Sequence, residues 1–136
     1  MMNLSVVPST HVDKAWEDGG RCLSEATDVS GGEITGDQLK MILSRGERTL
    51  IQMQEEGITT GWGVVRIDQL PNMRVLQITD LVAHNSHFER YFDALAEMAK
   101  SAGCSRIRCC AKPAQARLYQ MKSGFTPVYT TLEKKL

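Results

Sequence analysis

The spacing of apolar residues along the chain divides it into ten predicted elements. Residues 3–7 form a short apolar run that Pro8 ends, which predicts a strand. The polar residues after Pro8 can cap a helix, and apolar side chains then recur at nearly helical spacing at Val12, Ala15, Trp16 and Leu23. Gly19-Gly20 weakens the middle of this helix.

A second helix and three strands are predicted in the middle of the chain. Ser30-Gly31-Gly32 is a break, after which Thr35 and Gln38 have the spacing of a capping box. The helix that they open has its apolar face at Leu39, Ile42 and Leu43. From residue 49 the period becomes that of strands. Residues 49–54, 61–67 and 74–82 predict an antiparallel meander.

The last third alternates helices with strands. An amphipathic helix is predicted over residues 86–102, with a buried stripe at Phe88, Tyr91, Phe92, Leu95, Met98 and Ala99. A strand follows at residues 105–110, then a helix at 114–122 and a last strand at 125–132. The order β-α-α-β-β-β-α-β-α-β predicts an α/β domain spanning residues 1–136. Its sheet is mixed and mostly antiparallel, with helices on both faces.

Charge and composition exclude two classes of function. The 136 residues contain 16 basic and 16 acidic side chains, and a nucleic-acid binder would show a basic excess. The apolar runs are far too short for a membrane span, and the N-terminus lacks the features of a signal peptide. The spacing of the four cysteines does not suit a metal site, so we expect reduced, structural thiols in a cytoplasm.

The second half of the sequence resembles the GNAT superfamily of N-acetyltransferases. The residues that carry this likeness are Leu81-Val82, a helix ending in Ala102-Gly103-Cys104, and Leu118-Tyr119 followed by Gly124-Phe125. The element order extends the likeness over nearly the whole chain. It implies the fold described above, acetyl-CoA as cofactor and an amine as acceptor. A narrower likeness, to small GNAT-like proteins of phages and prophages, rests on Trp16 and the C-terminal residues 128–136.

The loop that binds the cofactor pyrophosphate in this superfamily departs from its pattern here. That loop reads Gln/Arg-x-x-Gly-x-Gly/Ala, because glycine leaves backbone N–H groups at a helix N-terminus free to hold phosphate. The matching residues 83–88 contain no glycine, and Phe88 stands where the family has Gly or Ala. The remaining candidates for cofactor binding are Leu81, Val82, Asn85, Ser86 and His87. His84 and His87 have an alternative role as solvent-facing loop residues.

Two residues are candidates for catalysis. Tyr119 stands where the superfamily often has the tyrosine that protonates the departing CoA thiolate, and its alternative role is packing in the core. Asp80, near the end of a predicted strand, is a candidate base for deprotonating an amine; its alternative role is a strand-end turn or cap.

The sequence leaves two functions open. The first is a non-catalytic, phage-type GNAT-fold protein that needs no cofactor and binds other phage structural or assembly proteins. It would act in the cytoplasm of the bacterial host or within the phage particle, without direct contact with nucleic acid or membrane. The alternative is an acetyl-CoA-dependent N-acetyltransferase. In both cases the sequence does not decide whether the protein forms a homo-oligomer, because edge strands can pair between copies.

Overall fold

Five strands form one sheet in the computed structural model, which describes residues 2–27, 31–84 and 88–136. The strands lie in the sheet in the order in which they occur in the chain. Neighbouring strands are antiparallel except for the last pair, which is parallel. The strands are β1 (Met2–Val7), β2 (Thr49–Glu55), β3 (Ile58–Gln69), β4 (Arg74–Ala83) and β5 (Arg106–Cys109).

Five α-helices cover the sheet. They are α1 (Val12–Glu17), α2 (Leu23–Thr27), α3 (Gly36–Ser44), α4 (Phe88–Ser101) and α5 (Pro113–Ser123), and single turns of 3-10 helix precede α1 and α2. Within the described ranges, no helix is long and apolar enough to cross a membrane.

Local backbone conformation and hydrogen bonds define the turn between β2 and β3 and the start of α3. The turn between β2 and β3 has positive φ at both Glu56 and Gly57, which the right-handed twist of a two-residue hairpin favours. The predicted capping box opens α3. The N–H of Gln38 donates to Thr35 Oγ1 at 3.2 Å, and the N–H of Thr35 donates to Gln38 Oε1 at 2.9 Å. The capping box is therefore confirmed.

The two faces of the sheet bury separate apolar layers. One, which we call the α4–α5 layer, contains Ile51, Met53, Val65, Leu76, Ile78, Tyr91, Phe92, Leu95, Ala99, Cys104 and Tyr119. The other, the α1–α3 layer, contains Val12, Ala15, Trp16, Leu23, Leu39, Leu43, Leu50, Trp62 and Val64. The structure thus confirms the predicted fold class, with helices on both faces.

The first predicted helix is divided. Gly19 has φ 131°, a conformation that side-chain-bearing residues rarely adopt, and it separates α1 from the turn that leads into α2. The sequence identified the weak point but not the break. The divided helix still buries Trp16 and Leu23 in one layer.

The prediction of a last strand at residues 125–132 is wrong. No strand follows α5, and residues 126–136 are all exposed. The segment is rich in β-branched and aromatic residues, which fit a pleated surface, but a strand also needs a neighbour with which to exchange hydrogen bonds. Within the described part of the chain, the outer edge of β5 and this segment are not paired.

Leu39 is expected to anchor α3 to the sheet. It is fully buried, so Leu39→Ala should lower the free energy of unfolding by about 2–5 kcal/mol in urea denaturation. Met41→Ala, in the same helix but at a half-exposed side chain, is the matched control and should change it by less than about 0.5 kcal/mol. Equal losses in the two variants would contradict the packing described here.

Candidate active site

The parallel strands β4 and β5 are paired over only a short stretch. Residues 75–78 of β4 pair with residues 106–109 of β5, and β5 then ends. β4 continues to Ala83 and stays paired with β3 on its other side. In the described residues, the second half of β4 therefore has no strand neighbour on the β5 side. This unpaired half of β4 begins where β5 ends, at the carboxyl ends of the two parallel strands.

A β-bulge lies where the two strands part. Val64 of β3 faces Asp80, whereas Val65 faces Ile78, so Thr79 is an extra residue in β4. Thr79 Oγ1 lies 3.3 Å from the carbonyl oxygen of Val64 and 2.9 Å from Asp80 Oδ2. The single proton of this hydroxyl can be donated to the Val64 carbonyl on β3 or to the Asp80 carboxylate, so the hydroxyl links the bulge to one of them at a time.

The bulge reverses which residues of β4 face each layer. Leu76 and Ile78 lie in the α4–α5 layer before it, and Leu81 and Ala83 pack against the same layer after it. Without the extra residue, strict alternation would send the second pair to the opposite face. Asp80 consequently lies on the α1–α3 side.

Asp80 is a buried carboxylate. It shares a face with Val64, because directly opposed residues of antiparallel strands point to the same side. Its side chain is only 7% exposed, and Oδ2 lies 3.9 Å from Nη1 of Arg48. Burial raises the pKa of Asp80 above its ordinary value, while the Thr79 hydroxyl and then the Arg48 charge act in the opposite direction. A carboxylate with a raised pKa accepts a proton more readily at neutral pH.

Tyr119 lies on the other face of the sheet. Its ring is buried in the α4–α5 layer, with centroid distances of 4.8 Å to Phe92 and 6.0 Å to both Phe88 and Phe125. Burial, and then the Cys109 thiol, raise the pKa of the Tyr119 hydroxyl. The hydroxyl is therefore protonated at neutral pH. The structure shows the predicted packing role directly, and it leaves the general-acid role as a prediction.

The predicted cofactor residues are distributed over both faces. Leu81 packs against the α4–α5 layer and Val82 against the α1–α3 layer. Asn85, Ser86 and His87 lie outside the described residues. His84 is exposed, and its N–H donates to the carbonyl oxygen of Thr60 at 2.8 Å, which ends the pairing of β4 with β3.

Space beside Tyr119 is limited by Phe88. The cavity between the start of α4 and α5 has a volume of about 10 Å³, roughly that of one water, and Phe88, Leu118 and Tyr119 are among its lining residues. The unpaired edge of β4, the buried carboxylate and the protonated tyrosine supply backbone hydrogen-bonding groups, a proton acceptor and a proton donor. The ring of Phe88 narrows the space that is left for a ligand at the start of α4.

Cys109, which lies beside Tyr119, is not activated as a nucleophile. All four cysteines are free, and burial together with Cys110 raises the pKa of Cys109 to about 11. Such a thiol is almost entirely protonated at neutral pH and is a poor nucleophile. Its role beside Tyr119 is to fill the α4–α5 layer.

Comparison with solved structures identifies the fold. A possible acetyltransferase from Clostridium difficile 630 has a TM-score of 0.70 at 10% identity, with 100% of this chain and 98% of that chain covered. A ribosomal-protein-alanine N-acetyltransferase from Brucella melitensis biovar Abortus 2308 has a TM-score of 0.69 at 13% identity, with 99% of each chain covered. An aminoglycoside N-acetyltransferase solved in complex with CoA has a TM-score of 0.64 at 14% identity, covering 100% of this chain and 95% of the other.

These likenesses establish that the chain has the fold of the GNAT acetyltransferases. No protein-family model matches the sequence, and no curated protein matches it. At such low identity the fold is shared and the chemistry has to be argued from the site.

Sequence reasoning missed two features of the site. Arg48 lies just before β2, and nothing in its local sequence indicates a contact with Asp80. The bulge left only one trace in the sequence, the polar pair Thr79-Asp80 between Ile78 and the apolar run 81–83, and this pair does not by itself predict an extra residue.

The buried carboxylate should leave a signature in the pH dependence of stability. Because the pKa of Asp80 is raised, the folded protein binds this proton more tightly than the unfolded chain does. Its contribution to the free energy of unfolding therefore falls as pH rises from the ordinary aspartate value of 3.8 through the raised value. Asp80→Asn removes this contribution, so the variant should gain stability relative to the native protein over that window.

Urea denaturation at several values between about pH 4 and 7 measures this difference. Asp68→Asn, at a partly exposed aspartate of β3 that pairs with Arg66, is the control. A stability difference for Asp80→Asn that does not change with pH would contradict the burial described here.

Proposed function

We propose that this protein is an acetyl-CoA-dependent N-acetyltransferase that acts on an amine acceptor. The observation that carries the proposal is the end of the pairing between β4 and β5, next to which the bulge at Thr79 directs a buried carboxylate to one face. Tyr119 lies on the other face. Acetyltransferases with the same fold over their full length, one of them solved with CoA, support the proposal.

Several residues around the end of the β4–β5 pairing would bind the cofactor. When bound, acetyl-CoA supplies an acetyl group as an activated thioester. The backbone of β4 beyond Ile78 offers N–H and C=O groups that no strand of the described residues uses on the β5 side, and these can hold an extended chain. Leu81 and Ala83 present apolar surface on the α4–α5 side. Thr79 keeps the bulge in place and orients Asp80.

The two candidate catalytic groups lie on opposite faces of the sheet. With a CoA thioester bound, Asp80 would accept the proton of the amine whose nitrogen bonds to the acetyl carbon, and Tyr119 would donate its hydroxyl proton to the sulfur that leaves. The raised pKa of Asp80 suits a base, and the raised pKa of Tyr119 keeps the acid protonated. The amine would approach from the α1–α3 side.

Substitution of these groups separates catalysis from packing. Tyr119→Phe keeps the ring and removes the hydroxyl, so it should lower kcat about 100-fold or more without loss of stability. Asp80→Asn should lower kcat/KM by a similar factor and abolish the rise of kcat/KM with pH through the pKa of Asp80. The measurement is acetylated product by mass spectrometry with acetyl-CoA and a panel of amino sugars, aminoglycosides and peptide N-termini.

Asp68→Asn serves again as the charge control and should leave the rates unchanged. If Tyr119→Phe acetylates as fast as the native protein, the tyrosine only packs the core. If the native protein acetylates no amine in the panel and acetyl-CoA at millimolar concentration gives no heat in calorimetric titration, the enzyme proposal fails.

Phe88 is expected to weaken binding of the cofactor. Its ring narrows the space between the start of α4 and Tyr119, so Phe88→Ala should open the cavity and raise the affinity for CoA about tenfold, equivalent to about 1.4 kcal/mol. Met98→Ala, at another half-buried side chain of α4 that does not line this cavity, is the matched control. Calorimetric titration of CoA measures both. An unchanged or lower affinity in Phe88→Ala would show that the ring does not obstruct the site.

A second candidate function is a protein-binding component without catalysis. The observation that favours it is the exposed apolar surface of residues 126–136, together with the very small cavity beside Tyr119. In the phage-type interpretation the partners are other phage structural or assembly proteins, and this stays a prediction. The titration with acetyl-CoA separates the two functions, because a binding component without catalysis has no need of the cofactor.

A further inference from the structure

The backbone of Arg48 is held in a short, hydrogen-bonded connection between α3 and β2. α3 ends in a Schellman motif. The N–H of Gly46 donates to the carbonyl oxygen of Leu43, and the N–H of Glu47 donates to that of Ile42, each at 3.1 Å. β2 begins at the residue after Arg48. The end of a helix and the start of a strand therefore position Arg48 at the edge of the α1–α3 side of the sheet.

The side chain of Arg48 reaches Asp80 across β3 but does not form a hydrogen bond with it. β3 lies between β2 and β4 in the sheet, and Nη1 of Arg48 lies 3.9 Å from Oδ2 of Asp80. This distance is longer than the roughly 2.8 Å of a hydrogen bond between two charged groups. Within the described ranges the Arg48 guanidinium makes no hydrogen bond. Its planar fork of N–H groups therefore remains able to donate to a ligand.

A second arginine on the same face of the sheet is engaged differently. Arg66 follows Val64 by two residues in β3, so its side chain also points to the α1–α3 side. Its Nε lies 3.1 Å and 3.4 Å from the two carboxylate oxygens of Asp68. The charge of Arg66 is thus matched by a hydrogen-bonded carboxylate of its own strand. Arg48 has no comparable partner among the residues that the structure describes.

Arg48 is the more accessible member of the pair that it forms with Asp80. Its side chain is 22% exposed, whereas that of Asp80 is 7% exposed. Burial raises the pKa of Asp80, and the charge of Arg48 opposes this rise less than the Thr79 hydroxyl does. The guanidinium can therefore turn toward a ligand with little effect on the ionisation of the carboxylate.

We propose that the acceptor is a zwitterionic amine, with the amine at Asp80 and a carboxylate or phosphate of the same molecule at Arg48. The two side chains carry opposite charges 3.9 Å apart, which matches an acceptor whose amine and anion are separated by a few bonds. The guanidinium fork suits the oxygens of either anion. The inference rests on the acetyltransferase proposal for the role of Asp80. It adds no chemical step and makes Arg48 the residue that selects the acceptor.

Two matched pairs of amines test this selection. β-Alanine and β-alaninamide differ by a carboxylate, and phosphoethanolamine and ethanolamine differ by a phosphate. The amines are mostly protonated at about pH 7, so the main difference within each pair is the anion. Calorimetric titration, with and without CoA, should show that the native protein binds the anionic member about tenfold or more tightly in at least one pair, because a neutral amine leaves the Arg48 fork without an acceptor. The pair with the larger ratio identifies the anion.

Substitutions separate recognition by Arg48 from a structural role. Arg48→Gln should bring the affinities within each pair to within about twofold of each other, and Arg48→Lys, which keeps the charge and loses the fork, should retain part of the ratio. Arg66→Gln is the matched control, because that arginine is already paired with Asp68, and it should keep the native ratio. A merely structural Arg48 would change the stability in urea denaturation and leave the ratio within each pair unchanged.

The binding ratio does not depend on turnover, so this inference and the acetyltransferase proposal fail separately. Equal affinity within both pairs, no binding of any of the four amines, or a native ratio in Arg48→Gln would overturn the role of Arg48, even if the protein acetylates other amines. Loss of the ratio in Arg66→Gln to the same extent would also overturn it, because the attraction would then be that of the whole face. Binding that is selective and depends on Arg48, without acetylated product by mass spectrometry, would support the zwitterion site and contradict the acetyltransferase proposal.

Discussion

The one-residue bulge at Thr79 is the constraint on which the candidate site depends. β4 has to bury apolar residues in the same layer along its whole length, yet a carboxylate stands in its middle. The extra residue lets Leu81 and Ala83 return to the α4–α5 layer and sends Asp80 to the opposite side. The Thr79 hydroxyl, 3.3 Å from the Val64 carbonyl oxygen, can satisfy a backbone acceptor at the irregular point of the ladder. Bulges are common near active sites for this reason: they redirect a side chain without ending the strand.

The bulge also leaves the two candidate catalytic groups on opposite faces of the sheet. Because Asp80 and Tyr119 lie on opposite faces, no direct hydrogen bond between them is needed for either role. The pKa of each group is shifted by its own surroundings. Burial raises the pKa of both, with Thr79 and Arg48 opposing the shift at Asp80 and Cys109 adding to it at Tyr119. In the proposed acetyltransferase, the base would therefore act from one side of the sheet and the acid from the other.

The sequence was sufficient to predict the elements that find their packing and hydrogen-bond partners within the same chain. Apolar periodicity located the meander and the amphipathic α4, and the capping box placed the start of α3 at Thr35. Sequence reasoning failed for the last strand. Val128 and its neighbours have the propensity for a strand, but a strand also has to pair with an edge that lies elsewhere in the sequence. For the site, Asp80 and Tyr119 were named from a resemblance. The contact of Asp80 with Arg48 spans 32 positions and results from tertiary packing, which no local pattern encodes.

The aromatic cluster around Tyr119 joins the candidate site to the residues that follow α5. Phe125 is the last residue of the chain that packs in the α4–α5 layer, and its ring centroid lies 4.8 Å from Phe92 and 6.0 Å from Tyr119. Gly124, in a left-handed conformation, ends α5 and directs the chain toward Phe125. The chain therefore leaves the core at a residue that packs, directly and through Phe92, against the Tyr119 ring, so the position of the group proposed as the acid depends on the C-terminal end of α5 as well as on α4.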